Sequence, residues 1–350
     1  MSQEEMHPSI NEFSARNDKI PMRELKYWIM LNEWIHSNYR VKTIETIRSR
    51  LDRVDKRKFG GFQLPQLIEN ERFKRYCDEL DLDVVEKTVE GIQRSGINVI
   101  TYLDERYPSM LRDINDPPLV LFHRGELMNF DNCVAIVGTR DPSHFAHQKA
   151  RALSRDLARK GYTIVSGLAK GIDTEAHCGA LDVNGKTVAV LGTKITDEIY
   201  PKENSRLAAD ILKKGAIISE APLFQKVRNT SFLKRNRIIS GISMCIVVIE
   251  FGTSGGSFTQ VKHALKQGRQ VFVLKPKARD KIAMKGYTDA LNEGAISFRS
   301  NKEIIEYLKS SASHHPLSNF SSPSQQPNPS SSLHPQPPDP LPSSSHQSPE

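Results

Sequence analysis

Three glycine-bearing stretches carry the residue types best suited to holding an anion. In the first, Gly138, Thr139 and Arg140 follow the apolar run CVAIVG at 133–138, with a helix expected from about His144. Glycine lets backbone amides approach a phosphate closely, and arginine adds a planar fork of donors. The second reads Ser166, Gly167, Leu168, Ala169, Lys170, Gly171, Ile172, Asp173. Two glycines around a lysine suit an anion nest; the alternative is a tight strand-to-helix turn, capped by Asp173, with Lys170 in water. The third, Gly252, Thr253, Ser254, Gly255, Gly256 and Ser257, opens a helix containing Val261 and Leu265, and again offers amides and hydroxyls at a helix N-terminus.

Cations gather nearby. Lys234, Arg235, Asn236 and Arg237 stand at the start of an amphipathic stretch that enters a very apolar run, where a site at the strand ends could use them. Tyr200, Pro201 and Asn204 lie in a loop before another helix; Asn could cap and Pro could stiffen the turn, a structural role beside the binding one. Glu220 and Glu250, at or near strand ends, are candidate acids that could equally pair with Arg235 or Arg237.

Some chemistries are disfavoured. A redox dinucleotide loop wants GxGxxG, and Asp141, Pro142 and Ser143 supply none of the later glycines after Gly138. Cys77, Cys133, Cys178 and Cys245 are far apart, with no CxxC pair and no histidine at metal spacing, so a reduced, cytosolic protein without metal or cofactor is expected. The opening MSQEEMHPSI is polar, and no apolar stretch approaches bilayer length, so neither export nor membrane insertion is expected.

The elements that must position these residues are legible as short apolar runs: CVAIVG at 133, YTIVSG at 162, KTVAVLG at 186, AIISE at 216, MCIVVIEFG at 244 and RQVFVLKP at 269. Separated by helices of ten or more residues, such runs predict an α/β fold with a doubly wound, mostly parallel sheet buried on both faces. Ligands of such sheets sit beyond the carboxyl ends of the strands, so the loops after Val137, Val165, Leu191, Ser219, Ile249 and Val273 are expected to line a site. Residues 1–100 read as a small helical domain, with Ile44, Ile47, Leu51 and Val54, then Val85, Val89 and Ile92 at helical spacing, and Leu25, Trp28, Ile29, Trp34 and Ile35 as an apolar stripe. Residues 101–309 hold the α/β domain. From 310 to 350, Ser, Pro, His and Gln predominate, and a disordered tail without assigned chemistry is expected.

Charge narrows the partners. The chain has 49 Lys and Arg against 41 Asp and Glu, a formal +8; no cation follows Lys309, whereas Asp339 and Glu350 do, so residues 1–309 carry +10. That balance favours a polyanion such as nucleic acid over acidic proteins or neutral metabolites.

Taken together, GTR at 138, SGLAKGID at 166, AHCGAL at 176, YPKEN at 200, SEAP at 219, RNRIISGIS at 235 and SGGS at 254 resemble the DNA-processing protein A family, also called DprA or Smf. The approach segment RYPSMLRDINDPPLVLFHRGEL at 106–127 is similar too, so the resemblance covers roughly residues 105–300. It implies a Rossmann-like, non-catalytic protein that binds and protects single-stranded DNA, dimerises, and helps load the RecA recombinase in natural transformation and homologous recombination. Carried over, Arg140 and Lys170 would contact DNA phosphates, Arg235 and Arg237 would line the same pocket, and Gly138, Gly167, Gly171, Gly255 and Ser257 would shape it. Thr139, Ser166, Asn204, Asn236, Ser254 and Gly256 complete the expected binding set.

The chain departs from that pattern in three places. The loop after Val273 reads LKPKARDK in place of a short Pro-Gly turn, the helical segment lacks the glycine-containing hairpin pattern of the family's N-terminal module, and the tail stands where a winged helix would. Two rival readings remain. One is a nucleotide-cleaving, phosphoribohydrolase-like enzyme, although Gln260 stands where that chemistry wants a carboxylate. The other is a module binding a small nucleotide messenger.

Overall fold

Alternation along the central strand sets the architecture. In a computed structural model, which describes residues 22–38, 41–55, 63–126, 130–228, 230–253, 255–277 and 280–314, Cys133, Ala135 and Val137 face one apolar core while Val134 and Ile136 face another. A strand buried on both sides is continuously apolar, which is why these runs stand out in the sequence.

The elements run in chain order as α1 (Met22–Ser37), α2 (Val41–Leu51), α3 (Leu64–Ile68), α4 (Glu71–Glu79), α5 (Leu82–Arg94), β1 (Asn98–Thr101), α6 (Ser109–Arg112) and β2 (Val120–Gly125). There follow β3 (Cys133–Gly138), α7 (His144–Arg159), β4 (Thr163–Ser166), α8 (Ile172–Leu181), β5 (Thr187–Leu191), α9 (Ser205–Ile211) and β6 (Ala216–Ser219). The last are α10 (Thr230–Gly241), β7 (Cys245–Ile249), α11 (Gly256–Lys266), β8 (Gln270–Leu274), α12 (Lys281–Asn292), β9 (Ile296–Phe298) and α13 (Asn301–His314).

The strands form one sheet in the order β1-β2-β6-β5-β4-β3-β7-β8-β9. From β6 to β9 all neighbours are parallel, whereas β2 joins β6 and β1 joins β2 antiparallel. The chain steps outward from β3 through β4, β5 and β6, then returns to lay β7 on the other flank of β3. That reversal makes a crevice at the carboxyl ends of β3 and β7, the topological switch point of a doubly wound sheet.

α7, α8 and α13 cover one face through Ala146, Ala150, Leu153, Ala176 and Ile304. α10 and α11 cover the other through Ile238, Ile239, Val261 and Ala264, and the same core continues into Leu25, Ile29, Ile44, Phe73 and Val89 of the helical segment. In the first helix residues 28–35 are all buried, polar Asn32 and Glu33 among them, so it packs on more than one surface. Asn32 Nδ2 donates to the Glu220 carbonyl at 3.2 Å, and the buried Glu33 carboxylate accepts from the backbone amides of Leu223 and Phe224 in the loop after β6. α13 continues to His314, so helix extends past Ser310, where the sequence predicted the tail to begin. The rest of that tail, 315–350, lies outside the described residues.

Candidate functional site

At the switch point the loops after β3, β4, β5 and β7, with the outer face of α10, enclose an open cleft of about 1090 Å³. Gly138, Thr139 and Arg140, then Ala169 and Asp173, then Thr193, Asp197, Glu198 and Tyr200 line it. The remaining wall is Phe232, Leu233, Arg235, Asn236 and Ile239 from α10 with Val137, Phe251, Gly252, Gly255, Gly256, Ser257 and Gln260. Among the described residues, none from the loops after β6 and β8, expected from the sequence to line the site, lines this cleft. The former is drawn toward α1 by Glu33, whose carboxylate accepts from the amides of Leu223 and Phe224.

The glycines are there because backbones cross closely. A Cβ on Gly138 would stand 2.1 Å from the Ile249 carbonyl oxygen, and one on Gly171 would stand 2.5 Å from that of Thr139. Gly171 also has φ +78°, a conformation that side chains disfavour. Ile172 N donates to Thr139 O at 3.1 Å and Thr139 N to Glu250 O at 2.9 Å, so the three glycine loops are stitched into one surface. Ser257 Oγ donates to Gly138 O at 2.7 Å and Asn236 Nδ2 to Gly256 O at 3.2 Å; both side chains line the cleft and brace it.

Gly255, at φ +99°, leads into α11, whose first turn faces the cleft. A helix start of this kind presents unpaired amides and the positive end of the peptide dipoles. Arg140 is exposed on the opposing lip, and no ion pair among the described residues engages it. Arg235 forms the floor, only 6% exposed: its Nη1 donates to Gly167 O at 2.8 Å and also to Val190 O. Burial lowers its pKa to about 10, against the Asp173 carboxylate that favours its charge. It therefore remains cationic at neutral pH. Gly167 is required beneath it, since a Cβ there would lie 2.5 Å from the guanidinium.

Several expected binding residues take structural places instead. Arg237 is 2% exposed and points away from the cleft, donating to Asp116 Oδ2 at 2.8 Å and to both Glu220 oxygens at 3.0 and 2.7 Å. Burial alone would raise the Glu220 carboxyl; the Arg237 guanidinium reverses that and brings it to about 2. Ser166 is buried, its hydroxyl donating to Ile136 O at 2.7 Å. Asn204 is also buried and donates to Leu168 O at 2.9 Å, so it supports the second glycine loop from behind. Lys170 is exposed but turned to Glu203, 2.5 Å away, and is outside the cleft lining. Ser254 lies outside the described residues.

Of the candidate acids, Glu220 pairs with Arg237, the structural alternative open to it, while Glu250 caps the start of α7, accepting from Ser143 N at 2.8 Å and Ser143 Oγ at 2.5 Å. Gln260 is buried and donates to Asn236 O at 2.9 Å. Asp173 accepts from the amides of Gly167 at 3.1 Å and Ala169 at 3.4 Å, and burial raises its pKa.

What sequence reasoning missed is the apolar wall. Tyr200, 58% exposed, meets Phe232 with ring centroids 5.8 Å apart, and the exposed Leu233 stands beside them. An aromatic next to a cation run was the available signal, since both suit a strand whose backbone is charged and whose bases are flat.

Among the described residues no cluster of His, Cys, Asp or Glu could hold a metal ion, and no helix is long and apolar enough to cross a membrane.

A doubly wound sheet with glycine loops, a helix start and two arginines at its switch point defines a Rossmann-like protein whose cleft has the residue types suited to an anion. The sequence profile described as DNA recombination-mediator protein A matches residues 98–309, and the chain belongs to that family. It is 36% identical over 224 residues to the DNA processing protein DprA of Bacillus subtilis, a match covering 63% of this chain and 75% of that protein. It is 37% identical over 227 residues to protein Smf of Escherichia coli, covering 64% and 60% respectively. The solved structure of Streptococcus pneumoniae DprA superposes with a TM-score of 0.68 at 28% identity, over 82% of this chain and 98% of that one. That of Helicobacter pylori DNA processing protein A, described for its single-stranded DNA binding mode, gives 0.55 at 29% identity over 61% and 96%.

Proposed function

We propose that this chain binds single-stranded DNA in the cleft without cleaving it, and so serves as a mediator that protects the strand and hands it to the RecA recombinase. The observation that carries this reading is the pairing of two unlike walls. On one side Arg140 and the first turn of α11 offer charge and amides to phosphates; on the other Tyr200, Phe232 and Leu233 offer flat apolar surface to bases. A duplex hides its bases, whereas a single strand presents both chemistries at once. The described mode of the H. pylori relative supports the same partner.

A binding role without catalysis is supported by what occupies the acid positions. Gln260 is neutral, and Asp173 is committed to backbone amides. Homodimerisation, a cytoplasmic setting and a part in natural transformation belong to the same proposal, made in view of the kinship with the DprA proteins.

A competition assay tests it. Labelled oligothymidine bound to the full chain should be displaced by unlabelled single strands, and not by equal-length duplex or by nucleoside monophosphates, with no free base released on chromatography. Displacement by mononucleotides at matching concentration would contradict the DNA reading, and base release the non-catalytic one.

A further inference from the structure

The segment after β8 carries a cation at Lys275, Lys277, Arg279, Lys281 and Lys285, with Asp280 as its one acid. Asp280 is committed as the N-cap of α12, accepting from Ala283 N at 2.9 Å. Arg279 lies outside the described residues; the four lysines are all exposed, and no ion pair among the described residues includes them. Some exposed cations elsewhere are neutralised locally, as in Lys170–Glu203 at 2.5 Å, Arg151–Asp182 at 2.7 Å and Lys213–Asp210 at 2.7 Å, whereas these four lysines stand together without such a partner among the described residues.

This tract is fixed against the rim of the cleft at both ends. Gly286 lets α12 pack directly on the β7 loop: a Cβ there would lie 2.6 Å from Phe251 O and 2.9 Å from Gly252 O, and both Phe251 and Gly252 line the cleft. Ile282 Cγ2 comes within 3.4 Å of a Cβ built on Gly252, yet Ile282 is 74% exposed. Toward the other end, Lys277 Nζ sits 4.9 Å from the centroid of the Phe145 ring, on the first turn of the helix that follows Arg140. The strand order β3-β7-β8, all parallel, brings the three loops to the same edge of the sheet.

Resting on the single-stranded DNA reading above, we propose that the site does not end at the cleft. A strand leaving past Gly252 runs over Ile282 and onto Lys275, Lys277, Lys281 and Lys285, which take its next phosphates without regard to sequence. The physical ground is that unpaired exposed lysines beside a polyanion site bind by counterion release, while an exposed apolar side chain between the two offers a base something to rest on.

The test uses the full chain, labelled oligothymidines of two lengths, about four and about sixteen nucleotides, and a salt series. The variant Lys275→Gln/Lys277→Gln/Lys281→Gln/Lys285→Gln should bind the longer strand roughly tenfold more weakly and flatten its salt slope by about two to three, at about 0.7 per phosphate left without its cation. Binding of the shorter strand should be unchanged. A control of equal charge loss at the opposite end of the sheet, Lys160→Gln/Lys186→Gln/Lys213→Gln/Lys214→Gln, should leave both lengths unaffected. An unaltered slope for the longer strand, while Arg140→Ala weakens both lengths, would overturn the extension and leave the cleft reading standing. Equal flattening by the control would overturn it as an effect of overall charge. Failure of the unmodified chain to bind either length would remove both readings.

Discussion

Arg235 and Arg237 look interchangeable in the run RNRIISG, but two residues on a helix are about 200° apart, so they cannot face one pocket. The spacing was in the sequence; what it could not say is which of the two faces the sheet's open end. The structure sends Arg235 to the cleft floor and Arg237 into a buried ion-pair group with Glu220 and Asp116. Opposite consequences follow for substitution. Arg237→Ala strands a buried carboxylate and should cost about 3–5 kcal/mol in urea unfolding, because desolvated partners lose their compensation. Arg140→Ala, at an exposed position, should change stability by no more than about 0.5 kcal/mol yet weaken oligothymidine binding in fluorescence titration. Lys170→Ala should weaken that binding less than Arg140→Ala, since Lys170 is turned to Glu203. Equal losses for the two would show that Lys170 leaves Glu203 for the strand.

At the level of elements, the parallel strands were legible because burial on both faces demands unbroken apolar runs, and all six predicted from the sequence appear in order. The short edge strand β9, Ile296–Phe298, was not, because with Ile296 47% exposed it has no such demand on its pattern. The docking of α1 was hidden for a different reason: Glu33 reads as a solvent residue, and only its tertiary pairing with the loop after β6 explains its burial. The loops themselves are coupled. Gly171 sits at φ +78°, where an added Cβ would meet the Thr139 and Arg140 carbonyls at 2.5 and 2.7 Å. Gly171→Ala should therefore lower the unfolding midpoint through strain on the order of 1–3 kcal/mol and weaken DNA binding, though no ligand atom need touch residue 171. Retained affinity in a folded Gly171→Ala protein would contradict the coupling of the two loops.

For the whole molecule, acid should unfold the protein in two overlapping stages. Burial lowers the pKa of His36 to about 4 and that of His177 to about 3, from an ordinary 6.5. Unfolding lets both bind protons that the native state refuses, so stability falls as pH drops from about 6.5 toward 3–4. His36 alone accounts for ~3 kcal/mol. Glu220, held at about 2 against a usual 4.5, adds loss between those values as its pairing with Arg237 is titrated away. Urea midpoints across pH 2–8 read both stages, and a flat profile down to pH 4 would contradict the neutral buried histidines.

At the same scale stands the +10 charge of residues 1–309, which the sequence made plain and whose proposed purpose is to hold single-stranded DNA. The most direct measurement of that purpose is a salt-series titration of labelled oligothymidine against the full chain and its Arg140→Ala variant, with duplex in parallel. The account predicts preference for the single strand, log affinity falling linearly with log salt, and a slope made shallower by about 0.7 in the variant, where one phosphate is no longer neutralised. Salt-insensitive binding, or identical slopes in the two proteins, would contradict it.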